Sequence, residues 1–506
     1  FYENRTKGIG SNNWAVAPSK SLSGNAILCN DPHLSLSLPS IWMEEHIVTP
    51  NFNAYGVSFP GFPGIMIGFN DHIAWGETNV SHDVEDLFWV SWADPSKSAY
   101  RSGEGVKQTR KVIKPIKVKN MPDVSDARHM LDIAANIGAE VTRLGPSEWK
   151  VQAKSIRTHE PDYALASEIR GSFLFAGSLL GRHGRVSLPS PGGDKIGRRR
   201  LDTHILALQK LGAHMDLGRK FYTMESRGRL IGEDIFLDEA SVMATENAVL
   251  AAVLAKGTTI LNNAAGEPHV QGLCRMLNAM GAKISGIGSN ILTIEGVDKL
   301  HGCTHTITND HIEIGSIIGL AAATKSEILI KNTTPRNLRM ILLVFERLGV
   351  RVEIRGEDLF IPGGQEPEIM SDMDGAIPKI DDAPWPGFPA DLTSIMVVTA
   401  TQCKGMVLIF EKMFESRLFF TDKLISMGAR IVLCDPHRAV INGPTPLHGE
   451  LITSPDIRAG MSLLIAALCA EGTTTIQNIR QLDRGYERID ERLNALGARI
   501  ERRKDA

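Results

Sequence analysis

Leu273-Cys274-Arg275-Met276-Leu277-Asn278-Ala279-Met280-Gly281-Ala282-Lys283-Ile284-Ser285 is the stretch from which the architecture can be read. Leu273, Met276 and Leu277 are apolar at helical spacing, Gly281 stands where a helix closes, and Lys283-Ile284-Ser285 reads as the start of a strand. Glycine suits that closing position because the residue just past a helix end commonly turns left-handed. The same signature recurs as Ile137-Gly138-Ala139, Leu211-Gly212-Ala213, Leu348-Gly349-Val350, Met427-Gly428-Ala429 and Leu496-Gly497-Ala498. Taken in order, the six glycines are spaced by 74, 69, 68, 79 and 69 residues. A near-constant period is the mark of a repeated supersecondary unit.

Working outward, copies two to six carry another helix upstream, over 161–180, 241–256, 310–324, 391–402 and 456–470, each opening on polar residues and turning apolar. Singly, a polar opening is an N-cap. Five together predict more: copies packed three and three aim equivalent helix N-termini at a shared cleft, where their partial positive charge favours phosphate or carboxylate. The first copy lacks this helix, and unrelated sequence stands in its place.

The chain has 506 residues, enough for two to four domains. Its net charge of −3 gives no global reason to bind nucleic acid or an anionic membrane, and no apolar run approaches a membrane span. Six scattered cysteines (Cys29, Cys274, Cys303, Cys403, Cys434, Cys469) with no CxxC pair argue for reduced thiols and against a metal cluster. Phe1–Gly10 has neither the apolar core of a secretory signal nor an initiator Met, so the expectation is an internal start and a cytoplasmic protein with no cofactor and no metal. Five of the seven tryptophans fall in the first hundred residues, which places a junction near residue 120. Residues 96–120 hold eight basic side chains against Glu104 alone and read as a solvated linker; a nucleic-acid arm would need aromatic partners that are scarce there.

The sharpest local signal is Pro191-Gly192-Gly193-Asp194-Lys195-Ile196-Gly197-Arg198-Arg199-Arg200, running into a helix near Asp202. Glycines make a mobile loop, and guanidinium forks at a helix start match phosphate bidentately. Arg170, Arg417, Arg458 and Arg484 are further anion candidates. Each has the alternative of pairing with a neighbouring acid, as Arg458 with Asp456 or Arg484 with Asp483.

With GGDKIGRRRLDTH (192–204), FPADL (388–392), MFESR (413–417), SPDIRAG (454–460) and LDRGYERI (482–489), residues 121–506 resemble the UDP-N-acetylglucosamine 1-carboxyvinyltransferase family of enolpyruvyl transferases. The resemblance implies an α/β fold, an inside-out α/β barrel of two pseudo-threefold domains over 120–305 and 306–506, here without its first helix. It implies transfer of enolpyruvyl from phosphoenolpyruvate to the 3′-hydroxyl of UDP-N-acetylglucosamine, the first committed step of peptidoglycan synthesis, with those two small molecules as partners. By match, Asp391 is the base at the sugar hydroxyl. Arg170, Arg199, Arg200, Leu201, Asp202, Thr203, Ser241, Val242 and Met413 touch the nucleotide sugar. Arg417, Arg458 and the catalytic Arg484 face phosphoenolpyruvate. The proton donor of the loop is usually a cysteine, and here it is Asp194. An exposed aspartic acid is only about one part in a thousand protonated at pH 7, so loop closure and docked anions are expected to raise its pKa. Fosfomycin alkylates the family's cysteine, so insensitivity to it is expected. The family also opens with a strand, a helix and a Lys-Asn pair that this sequence lacks; Lys119-Asn120 copies the letters only and reads as linker.

Residues 11–119, through SNNWAVAPSKS, NDPHLSLSLPSIW and PGFPGIMIGFNDHIAWGETN, resemble the start of a penicillin acylase β chain. That likeness makes 1–119 a partial N-terminal nucleophile hydrolase in which Ser11 would be the nucleophile, assisted by His33 and the Val80 backbone N–H. The mechanism needs a free α-amine on Ser11, and the family's later asparagine and arginine are missing, so an inactive fragment is expected. The alternatives to the transferase are therefore an amidohydrolase and a fusion product that only binds UDP-sugar.

Overall fold

The computed structural model describes residues 10–33, 40–78, 91–95, 98–103, 105–109, 115–218 and 220–503. The chain forms two compact units, Phe1–Lys111 and Val112–Ala506.

In the second unit all six repeat glycines are left-handed, with φ of 114° at Gly138, 99° at Gly212, 96° at Gly281, 81° at Gly349, 102° at Gly428 and 104° at Gly497. In five copies the next residue donates its N–H five residues back (Ala139 to Ala134, Ala282 to Leu277, Val350 to Phe345, Ala429 to Leu424, Ala498 to Leu493), which is the Schellman closure. The chain then enters a strand or an extended segment. A side chain at these glycines would strain the turn and misdirect it.

The upstream helices lie inside. His311–Ala323, Thr393–Ala400 and Ile457–Cys469 pack against one another and are almost wholly buried. They approach closely enough that a Cβ on Gly319 would sit 2.5 Å from Ile395. The sheets cover them. The four-stranded one, in the order Lys379–Asp381, Gly405–Phe410, Arg438–Gly443, Ile431–Asp435, turns Val407, Ile409, Ala439 and Ile441 inward. Each fully buried Ile or Leu here contributes roughly 2 kcal/mol. One apolar core spans Ile312–Leu493 and a second spans Ile137–Ile294. In the second core, helices Phe175–His183 and Val242–Ala252 pack as the inner pair. The result is the inside-out α/β arrangement that the family resemblance implied.

The linker reading of 96–120 fails at its end. Ile116–Lys119 is a strand, parallel to Thr304–Thr306 on one side and antiparallel to Glu148–Gln152 on the other, with its alternate Ile116 and Val118 half-buried. The division therefore falls after Lys111 and not at 119.

Glu246 lies buried on the inner helix Val242–Ala252, and burial with nearby Glu267 pushes its carboxyl up to about 7. The native state thus keeps a proton that the unfolded state loses above 4.5, so stability falls as pH rises from 4.5 to 7. Glu246→Gln is expected to remove that slope and stabilise the protein by on the order of 3 kcal/mol at neutral pH. Urea unfolding midpoints at acid and neutral pH read the effect.

The first unit pairs Gly10–Val16 with Ile27–His33, builds a four-stranded antiparallel sheet from Met43–Thr49, Phe52–Ser58, Ile67–Asn70 and Ala74–Trp75, and adds Ser91–Trp92, Ala99–Ser102 and Gly105–Gln108. Among its described residues only Ala54 and Ala99 are buried apolar side chains, while Ile47, Val48, Phe52 and Phe69 are exposed. Strands with an alternating pattern but nothing packed on their apolar face are what a fragment of a larger sheet protein leaves.

Candidate active site

A cavity of about 1760 Å³ opens in the second unit, walled from both cores. Arg170, Arg199, Arg200, Ser241, Val242, Asp391, Met413 and Arg458 line it. FPADL supplies Asp391 on the short turn Ala390–Leu392 that leads into an inner helix. Its Oδ1 accepts from Arg417 Nη2 at 3.0 Å, and its Oδ2 accepts from Arg458 Nε at 3.2 Å. Burial pushes this carboxyl up, but Arg458 and Arg417, with Arg199 beyond them, outweigh it and hold Asp391 well below the usual carboxylate range. The side chain still keeps 40% of its surface open to the cavity.

Arg458 is aimed from behind. Its Nη1 donates to Tyr486 Oη at 3.3 Å; Tyr486 is fully buried, and its hydroxyl lies 2.8 Å from Ser316 Oγ. Asp456 does not neutralise this arginine; its carboxylate accepts the backbone N–H groups of Arg458 and Ala459 and caps helix Ile457–Cys469. SPDIRAG and LDRGYERI are thus one device: a capped helix start carrying a cation, and a tyrosine that fixes the cation's direction.

The arginine loop folds over the same place. Asp194 forms an ion pair with Arg484, whose Nε and Nη2 also hold Asp126 at 2.9 and 3.1 Å. Arg199 is buried among Asp194, Asp391, Arg417 and Arg484, close enough to feel the charge of each. Arg170 donates to the Arg200 carbonyl at 2.9 Å, and burial together with Arg199 lowers it to about 10. The far side of the loop is pinned by MFESR: Arg198 N–H donates to Glu415 Oε2 at 3.1 Å, and Gly197, at φ 126°, has that carboxylate where a Cβ would go.

Of the expected residues, Asp194, Arg417 and Arg484 stand behind the cavity wall but within the charge cluster. Leu201, Asp202 and Thr203 are off the wall: helix Asp202–Lys210 starts there, Thr203 is buried with its hydroxyl donating to Asp238, and Asp202 accepts from Arg200. Asp483, the alternative partner for Arg484, is taken by Arg502. Asn120 is no linker residue, since it lines the cavity and donates to the Ile307 carbonyl at 2.9 Å. Sequence reading also passed over Asp126, Glu267, His269, His311 and Trp385. His269 and His311 stack at 6.1 Å, Trp385 meets His311 edge-on, and all three line the cavity. Asp126 and His311 open repeat helices, which was the available signal; nothing local marked Trp385. Among the described residues no three His, Cys, Asp or Glu side chains are grouped to hold a metal ion.

In the first unit Ser11 lies within a strand, opposite Pro32, and is joined through its nitrogen to Gly10. His33 is engaged with Asp31 at 2.7 Å. Val80 lies outside the described residues. A serine whose nitrogen is an amide has no α-amine to act as base.

Two protein families match the chain. Residues 113–493 match the family EPSP synthase (3-phosphoshikimate 1-carboxyvinyltransferase), and residues 1–168 match the penicillin amidase family, so the two matches overlap across the junction. UDP-N-acetylglucosamine 1-carboxyvinyltransferase of Treponema denticola is 56% identical over 387 residues, 76% of this chain and 90% of that protein. The same enzyme of Bradyrhizobium diazoefficiens is 54% identical over 389 residues, 77% of this chain and 90% of that protein. Among solved structures, the enolpyruvyl transferase NikO of Streptomyces tendae superposes with TM-score 0.68 at 24% identity over 77% of this chain and 91% of its own. EPSP synthase of Acinetobacter baumannii superposes with TM-score 0.59 at 18% identity over 78% of this chain and 92% of its own. Fold, repeat register and sequence identity converge: from residue 113 to 493 the chain belongs to the EPSP synthase family, on its UDP-N-acetylglucosamine 1-carboxyvinyltransferase branch.

Proposed function

We propose that the chain transfers the enolpyruvyl group of phosphoenolpyruvate to the 3′-hydroxyl of UDP-N-acetylglucosamine, releasing phosphate, in the cytoplasm as the first committed step of peptidoglycan synthesis. The observation that carries this reading is the convergence of Arg199, Arg417, Arg458 and Arg484 around two carboxylates, Asp194 and Asp391. Such a cluster supplies cations for three anionic groups and, between them, one acid and one base.

Without substrate the carboxylates neutralise the arginines. When phosphoenolpyruvate docks, its phosphate and carboxylate compete for Arg484, Arg199 and Arg458. Asp194, freed from Arg484 and set beside the docked anions, takes up a proton from solvent and delivers it to the methylene carbon. Asp391, no longer clamped by two guanidinium groups, takes the proton of the sugar hydroxyl as its oxygen bonds to the central carbon. Departure of phosphate, with one methyl proton returned to the Asp194 carboxylate, restores the double bond. Arg170, Arg200, Ser241 and Met413 bind the nucleotide sugar on the opposite wall.

Purified chain given both substrates is expected to release inorganic phosphate, and release dependent on only one of them would overturn the reading. Fosfomycin is expected to leave the rate unchanged, because a carboxylate stands where the alkylated thiol would be; mass spectrometry would expose any adduct.

A further inference from the structure

The proposed chemistry leaves one buried carboxyl beside the charge cluster without a task. Glu411 follows strand Gly405–Phe410 and is fully buried. Its Oε1 accepts the Phe414 N–H at 3.2 Å, while its Oε2 has no hydrogen-bond partner. Arg417 Nε lies 3.7 Å from Oε2, too far for a hydrogen bond, and neither Nε nor Nη1 of this 3%-exposed arginine has one. The other end of the same guanidinium is spent on Asp391. One buried cation therefore spans two carboxyl groups, and the protonation of the hidden one decides how much charge the other receives.

We infer that Glu411 is a positioning residue for Asp391: as a neutral acid it backs Arg417 without neutralising it, so the guanidinium stays committed to the cavity carboxylate. The inference rests on Asp391 being the base of the proposed reaction. Burial, with the Asp382 carboxyl beside it, outweighs Arg417 and pushes Glu411 up to about 8, so it holds its proton at neutral pH. The other charged groups around it are accounted for. Asp382 shares a side-chain hydrogen bond with Glu411 and accepts from the backbone of Lys412 and Met413, Lys412 is paired with Asp381, and the His437 ring lies 2.7 Å from the Glu411 carbonyl. As pH rises through about 8, Glu411 ionises, draws Arg417 away from Asp391, and activity falls.

The test is phosphate-release kinetics from neutral pH to well above 8 for the parent, Glu411→Leu and Glu411→Gln, with infrared spectra of each free protein. Glu411→Leu is expected to lower kcat by on the order of a hundredfold with KM changed only a few-fold, because Arg417 loses its backing and drifts. Glu411→Gln, which cannot ionise, should recover most of that loss and lack the parent's alkaline fall. Glu246 contributes a protonated-carboxyl stretch common to both, so the readout is the parent minus Glu411→Gln difference spectrum, which should show a further such stretch that vanishes above pH 8. An identical alkaline limb in parent and Glu411→Gln, or no such band in the difference spectrum, overturns the inference. A parent that releases no phosphate defeats the proposed reaction instead, and the band alone then decides whether Glu411 is the neutral acid described.

Discussion

Asp391→Asn is expected to lower kcat/KM for phosphate release by about a thousandfold, within the 10²–10⁴ that a positioned general base supplies. Asparagine keeps the shape and one oxygen for Arg417 or Arg458, but it cannot take the hydroxyl proton. It also removes the negative charge that pairs with both arginines in the free cavity. Those cations are then unsatisfied until an anion arrives, so phosphoenolpyruvate affinity should be kept or improved, and the loss should fall in kcat. Steady-state kinetics with calorimetry separates the two. A variant within tenfold of the parent, or one whose defect lies only in KM, would remove Asp391 from its role.

Asp194→Ala is expected to cost a hundredfold or more, since it deletes the acid on the loop and leaves Arg484 with only Asp126 and Gln481. Asp194→Cys is the informative companion. A thiol can donate the same proton, so it should recover much of the lost rate and, unlike the parent, become inactivated by fosfomycin with a covalent adduct at residue 194. An alanine variant as active as the parent would show that the proton comes from elsewhere.

The periodic parts of this molecule were legible in advance because one local requirement, a left-handed residue closing a helix, repeats at Gly138, Gly212, Gly281, Gly349, Gly428 and Gly497. The polar starts of two inner helices were legible for the same reason: Asp310 and Asp456 each cap one, whereas the helix expected over 161–180 is broken, Asp162 capping only Tyr163–Glu168 ahead of the inner helix Phe175–His183. Asp391 and the arginines came from motif resemblance and converge in space. What escaped had no local cause. Asp126 meets Arg484 from 358 residues away, and Glu411 differs from any surface glutamate only in what surrounds it. The linker reading of Lys117 and Lys119 failed because charge along a segment says little about a strand paired on both sides whose alternate residues face inward.

That same strand ties synthesis to completion. Asn120 holds the carbonyl of Ile307, 187 residues downstream, and Ile116–Lys119 lies alongside Thr304–Thr306. The first lobe is therefore fastened by a clasp whose second half leaves the ribosome only after nearly all of that lobe has been made. Until then the nascent chain carries an open sheet edge, the condition in which slow, non-local pairing exposes a polypeptide to chaperones and proteases.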